Sequence, residues 1–282
     1  MTQYFVYDVF TDTPFGGNQL AVFPDAQNLP EEKLQSIASE FNFSEVTFVY
    51  PPNDPNNTAR VRIFTPTSEV DFAGHPTIGT LIALYDLGRQ SPMTLELGIG
   101  PLACTVKREG ASFTASQPLE ILSNTQTGLV ARALGLSPAQ VVIDTHAPII
   151  ATLGLAFVFV ELDSRETLSA CRPNMDAIRD GAERHPESHD FAIFAYVRNG
   201  SEIHSRMFAP LDNIPEDPAT GSASATLAVL LTERLDAPQS LIFTQGADMG
   251  RLSKIQAETT QDPMTVKISG QAVKVMEGTL IL

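Results

Sequence analysis

The sequence predicts an α+β chain built from two similar halves, each a mostly antiparallel sheet around one apolar helix. Three observations carry that prediction. The first is a repeat. Arg62-Ile-Phe-Thr-Pro66 returns as Arg206-Met-Phe-Ala-Pro210, an offset of 144 in a chain of 282 residues. Asp71-Phe-Ala73 ahead of Thr80-Leu81 returns as Asp217-Pro-Ala219 ahead of Thr226-Leu227, an offset of 146, which makes Asp71 the expected counterpart of Asp217 and puts two extra residues in the loop between. Solenoid repeats recur every ~20–50 residues. An offset near half the chain reads instead as a duplicated domain, whose facing copies would form a cleft. The second observation is a pair of stretches, Pro76–Leu87 and Ser222–Leu231, that are small or aliphatic on nearly every face, the mark of a buried helix. The third is that most strands follow one another in hairpin-like succession rather than alternating with long helices.

The elements follow in order. Tyr4–Phe10 and Leu20–Phe23 are strands by composition, joined by a turn-rich loop with Pro14, Gly16 and Gly17. Pro30–Phe41 has proline near its start, Glu31 and Glu32 in the first turn, and Leu34, Ile37, Ala38 and Phe41 at helical spacing. Strands are expected at Ser44–Tyr50, Thr58–Thr65, Thr94–Leu97, Leu102–Arg108 and Ala111–Ala115. In the second half, Thr127–Leu134 reads as a helix ended by Gly135, and Arg165–Cys171 and Met175–His185 as short helices. Strands are expected near 141–144, 155–162, 191–198, 203–208, 240–244, 250–256, 264–269 and 273–282. The expected lobes are residues 1–118, which the strand at 276–282 is placed to join, and residues 119–275.

Composition narrows the function. The apolar fraction is 43% and the net charge −15. So acidic a chain lacks the basic footprint of a nucleic-acid binder or of a protein docked on an anionic membrane. Cys104 and Cys171 are the only cysteines, too few for a disulfide framework or a zinc site, and they read as reduced thiols of a cytoplasmic protein. The N-terminus has no basic region or cleavage site of a signal peptide. The longest apolar stretch, Ala147–Val160, falls short of the ~20 residues of a membrane span and reads as buried strand.

The candidate chemistry gathers at the two apolar helices. Gly74-His75-Pro76-Thr77 and Thr220-Gly221-Ser222-Ala223 are their starts. The first amides of a helix have no partner within it, and its dipole favours an anion there. Ordinary capping by Thr77 or Ser222 is the competing reading. Glu45 lies among aromatic and β-branched neighbours, a setting that raises a carboxyl pKa toward the range of proton transfer, though a water-facing strand-edge glutamate fits the same pattern. Glu216 and Asp217 precede the second helix and suit either dipole capping or substrate binding. His75 suits acid, base or donor roles near neutral pH, or a structural one. His185 and His189 have helical metal spacing, but Pro186 breaks the helix and no third ligand is evident. Gly221-Ser222 lacks the nucleophile-elbow pattern and Gly98-Ile-Gly100 the rest of a dinucleotide fingerprint. Cofactor-free chemistry is the expectation.

At these residues the chain resembles the PhzF-like (phenazine biosynthesis isomerase-like) family. The matching stretches are Tyr7-Asp-Val-Phe-Thr-Asp-Thr-Pro-Phe-Gly-Gly-Asn18 with Ala21-Val-Phe23, Phe43-Ser-Glu-Val-Thr47, and Arg62-Ile-Phe-Thr-Pro66 running on to Asp71-Phe-Ala-Gly-His-Pro-Thr-Ile-Gly79. They continue in Met207-Phe-Ala-Pro210, Glu216-Asp-Pro-Ala-Thr-Gly-Ser222, Gln245-Gly246 and Gly250-Arg251. The resemblance implies a diaminopimelate epimerase-like fold of two pseudo-symmetric lobes, each a barrel-like sheet around a central helix, with the active site between them. It implies Glu45 as general acid/base, His75, Asp217 and Ser222 as its partners, and the backbone at Gly74-His75 and Gly221-Ser222 as a carboxylate cradle, with Asn18 lining the site. It further implies a cofactor-free proton shift on a small carboxylate, as in isomerisation of a dihydro-hydroxyanthranilate, and a homodimer. Gln19 and Leu252 stand where prolines are expected. The fold-related epimerases carry a cysteine at each helix start; Ala73 and Pro218-Ala219 stand there in this chain, which disfavours two-thiol racemisation. An acid/base racemase using Glu45 with His75 or Asp217, and a catalytically silent ligand-binding protein, are the alternatives.

Overall fold

The computed structural model describes residues 1–282 and divides into two units, Met1–Thr114 with Ile268–Leu282, and Ala115–Lys267. The chain opens with β1 (Thr2–Val9), β2 (Asn18–Phe23), α1 (Leu34–Phe41), β3 (Glu45–Tyr50), β4 (Ala59–Phe64) and β5 (Glu69–Val70). Then come α2 (Gly74–Asp86), β6 (Met93–Leu97), β7 (Gly100–Lys107) and β8 (Gly110–Ala115). The second unit starts with β9 (Glu120–Asn124), α3 (Thr127–Ala133), β10 (Val141–Val142), β11 (Ile149–Thr152), β12 (Ala156–Leu162), α4 (Arg165–Ala170) and α5 (Met175–Arg184). It continues with β13 (Ile193–Asn199), β14 (Glu202–Ala209), β15 (Ile214–Asp217), α6 (Gly221–Leu235), β16 (Ser240–Gln245) and β17 (Ser253–Gln261). After β18 (Met264–Gly270), β19 (Ala272–Leu280) returns to the first unit and pairs antiparallel with β1.

The two units share one wiring. In the first, β2–β3 and β4–β6 are parallel, and β1–β2, β3–β4, β4–β5 and β6–β7 antiparallel. In the second, β12–β13 and β14–β16 are parallel, and β11–β12, β13–β14, β14–β15 and β16–β17 antiparallel. Parallel neighbours require a crossover, and each parallel pair here is bridged by helix: α1 and α2 in one unit, α4 with α5 and then α6 in the other. The mostly antiparallel sheet of the sequence reading therefore carries two parallel steps per unit.

Register corrects the repeat. Ile63 faces Val70 and Met207 faces Asp217, so the counterpart of Asp217 is Val70 and not Asp71. The Arg–Glu pairs confirm it. Arg62 grips Glu69 with two bonds of 2.7 Å, and Arg206 grips Glu216 with bonds of 2.8 and 2.7 Å. Each guanidinium also lies over the phenylalanine two residues on, Phe64 or Phe208. Four residues separate Phe64 from Glu69 and seven separate Phe208 from Glu216. The loop therefore holds three extra residues rather than two, accommodated by a 3-10 turn at Pro210–Asp212 and a left-handed Asn213. The apolar run Ala147–Val160 is likewise two antiparallel strands, β11 and β12, turned at the left-handed Gly154.

The central helices are buried as expected. Every residue of α2 from Gly74 to Leu84 is buried, and so is nearly all of α6 from Gly221 to Thr232. Both begin two residues or one earlier than the apolar periodicity shows, because Gly74 and Gly221 already have helical backbone. Outside the first sheet, α1 buries Leu34, Ile37 and Ala38 on a cluster with Phe23, Phe48 and Phe64. Outside the second, α3 and α5 bury Leu129, Val130 and Ile178 on β12 and β13 residues such as Val158 and Ile193. Each such fully buried side chain contributes about 1.5–3 kcal/mol.

Candidate functional site

Glu45 is the first residue of β3, and alternation along the strand puts Glu45 and Thr47 on one face. That face meets α2, where the buried Thr80 hydroxyl donates to Thr47 Oγ1 at 2.9 Å. Two strand residues span about 6.6 Å and five helical residues about 7.5 Å, so the contact that joins Thr47 to Thr80 brings Glu45 level with His75. Glu45 Oε2 lies 3.2 Å from His75 Nδ1, with 16% of the Glu45 side chain exposed and 5% of His75. Burial, opposed by a backbone hydrogen bond at Gln19, pushes the His75 pKa down to about 3. The ring is therefore neutral near pH 7, and the contact is a polar one from an uncharged imidazole rather than an ion pair. The ring's own hydrogen bond runs to the Gln19 backbone, and the carboxylate lies against the ring as a polar neighbour.

The depressed His75 value has a consequence for stability. It lies below the ~6.5 of an unfolded histidine, so between those limits the unfolded chain binds a proton that the folded chain refuses. The stabilisation is complete above pH ~6.5 and is lost toward pH ~3, at about 1.4 kcal/mol per pH unit. Urea unfolding at pH 6 and at pH 4.5 is expected to show that steeper slope in the wild type than in His75→Asn; equal slopes would contradict it.

Asn18 starts β2 and is 2% exposed; the Ser44 hydroxyl donates to its Oδ1 at 3.3 Å, tying it to the residue before Glu45. The loop ahead of it is held from below. Asp8, 1% exposed, accepts the Phe15 amide at 2.7 Å, and Gly17 has φ +59, where a Cβ would collide with the Val9 carbonyl oxygen. In the first unit, then, Asn18, Glu45, Gly74 and His75 come together. Gly74 is the first residue of α2, and its N-cap, Ala73, offers no side-chain cap.

Asp217, Gly221 and Ser222 gather in the second unit. Asp217 ends β15 and is 9% exposed. Its Oδ2 accepts the Thr220 hydroxyl at 2.5 Å. Gln245, wholly buried, donates from Nε2 to the Asp217 carbonyl at 2.8 Å and to Thr220 Oγ1 at 2.9 Å, and accepts the Thr220 amide at 3.2 Å. Thr220 is the N-cap of α6, yet its side chain does not cap the helix, because the hydroxyl is turned to Asp217. Glu216 is taken by Arg206, which leaves Asp217 as the acid nearest the start of α6. Thr220 and Gln245 are additions to the sequence-predicted set. Both stand in stretches that carry the family resemblance, which gave neither a role.

The copies differ where the chemistry is. By register, Glu45 corresponds to the buried Ala192, and His75 to Ser222. The carboxylate–imidazole pair belongs to one copy and the acidic group at Asp217 to the other. Cys104 and Cys171 are both buried away from either helix start, and burial pushes their thiols up to about 12 and about 11. His185 contacts Glu187 and His189 contacts Asp212, two separate pairs. A recess of about 390 Å³ in the second unit is lined by Cys171, Arg172, Arg206, Glu216 and Asp248 and contains none of the predicted site residues.

The fold and the relatives of this chain define it as a PhzF-like isomerase. The chain belongs to the phenazine biosynthesis-like protein family, whose PhzC-PhzF model matches residues 7–278. It is 36% identical over 291 residues to the trans-2,3-dihydro-3-hydroxyanthranilate isomerase of Pseudomonas fluorescens, covering 100% of each chain. It is 37% identical over 300 residues to an uncharacterized isomerase of Mesorhizobium japonicum, covering 99% of this chain and 98% of the other. The solved structure of a Bacillus anthracis phenazine biosynthesis protein of the PhzF family matches with a TM-score of 0.86 at 24% identity, over 100% of this chain and 99% of that one, and supports the fold. No helix is long and apolar enough to cross a membrane.

Proposed function

We propose that this isomerase moves a proton between two carbons of a small carboxylate without a cofactor, and that trans-2,3-dihydro-3-hydroxyanthranilate, named for the Pseudomonas fluorescens relative, represents its substrate class. The observation that carries the reading is the partly buried Glu45 carboxylate beside a histidine that stays neutral. A cationic partner would hold Glu45 as a weak base; a neutral one adds no opposing charge. In the proposed reaction Glu45 takes a proton from one carbon, the double bond shifts, and Glu45 returns the proton to another carbon on the same face. Atoms and electrons balance without an oxidant or reductant. His75 lies against the carboxylate, and Asn18 lines the site. By the family resemblance, the helix starts at Gly74 and at Gly221 and Ser222 are assigned to the substrate carboxylate, and Asp217 to a polar substituent. Donors that hold a group already charged in the ground state bind and orient the substrate.

The test is NMR in heavy water with that dihydro-hydroxyanthranilate. Deuterium at a new carbon together with a moved double bond supports the isomerase. Inversion with the double bond in place would make the enzyme a racemase. Binding by calorimetry with no exchange would make it a silent binding protein. We further propose a cytoplasmic homodimer; two buried, unlinked thiols suit a reducing compartment. Light scattering should read twice the 30.5 kDa chain mass, and a monomeric mass would remove the dimer.

A further inference from the structure

Gln245 sits where its amide has only one workable orientation. The Thr220 backbone N–H can only donate, so Oε1 must face it; the Asp217 carbonyl can only accept, so Nε2 must face that. Nε2 then also donates to Thr220 Oγ1. Having accepted that bond, the Thr220 hydroxyl keeps its own hydrogen for Asp217 Oδ2. Hydrogen-bond direction is thus passed from a wholly buried amide, through a hydroxyl, to a carboxylate. The approach is close enough to require glycine next in sequence. Gly246 has φ +70, and a Cβ there would strike the Arg251 carbonyl oxygen and press on that of Pro218.

The duplicated fold supplies an internal control. Ser205 faces Gln245 across β14 and β16, and the matching register of β4 and β6 sets Leu97 at the Gln245 position, with Gly98 after it as Gly246 follows Gln245. Ala73 takes the N-cap place of Thr220, and Val70 the place of Asp217. One copy of the unit therefore holds Leu97, Ala73 and Val70 where the other holds Gln245, Thr220 and Asp217. The unit folds without the polar chain, and the three polar residues stand or fall together.

We propose that Gln245 and Thr220 are positioning residues that act through Asp217: Gln245 directs the Thr220 hydroxyl onto the Asp217 carboxylate, and in doing so withholds it from the amides at the start of α6. This assignment rests on the proposed role of Asp217 in binding substrate. It gives one device two effects. The carboxylate is held as an acceptor in a fixed orientation, and the helix start stays open to an anion because its natural cap is occupied.

The test uses Gln245→Leu and Thr220→Ala, the residues the other copy carries, with Thr220→Ser and Asp217→Asn. Turnover of trans-2,3-dihydro-3-hydroxyanthranilate is expected to fall about 10-fold or more in kcat/KM for Thr220→Ala and Gln245→Leu, with recovery in Thr220→Ser. In an Asp217→Asn background the same substitutions are expected to add little, since their route is already cut. Full additivity there, or no rescue by serine, would overturn the proposal. A crystal structure of Gln245→Leu gives a readout that needs no substrate: Thr220 Oγ1 is expected to leave Asp217 Oδ2 and turn to the α6 amides, and an unchanged hydroxyl position would also overturn it. Asp217→Asn alone judges the parent reading. If it turns over normally, the role of Asp217 falls, whatever the crystal structure says of Thr220.

Discussion

Glu45→Gln is expected to lower kcat by about 10²–10⁴-fold, the usual worth of a positioned general acid/base. The substitution keeps the shape of the side chain and removes only its capacity to take a proton. His75 is uncharged, so no buried cation is stranded by loss of the carboxylate, and thermal stability is expected to stay near that of the wild type. KM is expected to change little, because the carboxylate of the substrate is assigned to the helix-start amides. Glu45→Asp is the informative companion. It keeps the charge but withdraws it by one methylene from its place 3.2 Å from His75, and a displacement of about 1 Å in a reacting group can cost 10²-fold. Steady-state kinetics on both variants checks this; near-wild-type turnover in Glu45→Gln would be incompatible with a proton carried by residue 45.

Arg206→Ala is expected to produce the largest loss of stability, about 3–5 kcal/mol, as for breaking a buried pair from one side. The guanidinium is 8% exposed and Glu216 15%. It also donates to the carbonyl oxygens of Leu168, Ser169 and Cys171, at 3.0, 3.3 and 3.1 Å, sharing the last two with Arg172 and the first with the Cys171 amide. The same residue in the first copy makes a control. Arg62 is 21% exposed and its partner Glu69 41%, so solvent screens the pair and Arg62→Ala is expected to cost only about 1 kcal/mol. Urea unfolding of the two variants measures the contrast, and equal losses would refute it. Because Glu216 is next to Asp217 on β15, Arg206→Ala should reduce turnover as well, whereas Arg206→Met combined with Glu216→Leu should recover much of the stability.

The duplication, the two buried helices and the identity of Glu45, His75 and Asp217 as candidates were legible in the sequence, because each leaves a local mark. Helix starts show as glycine beside hydroxyl residues, and buried helices as unbroken aliphatic runs. The repeat shows in the Arg-x-Phe motif, which marks the same cation over the same ring in both copies. What the sequence misplaced depends on register. Asp71 and Asp217 look alike in a string, but the sheet sets Val70 opposite Ile63 and Asp217 opposite Met207. The neutrality of His75 was not legible either, since it comes from packing that no neighbouring residue announces. Gln245 lies 25 positions beyond Thr220 and 28 beyond Asp217, on a strand that meets them only after α6 has crossed over. A long-range hydrogen-bond chain of that kind has no periodicity to read.

A single carboxylate, that of Glu45, is proposed to carry the migrating proton. Proton NMR of Glu45→Gln with trans-2,3-dihydro-3-hydroxyanthranilate in heavy water tests it most directly. No deuterium is expected at any substrate or product carbon over a period in which the wild-type protein completes the exchange, with binding retained by calorimetry. Deuterium incorporation by Glu45→Gln at the wild-type rate would contradict it.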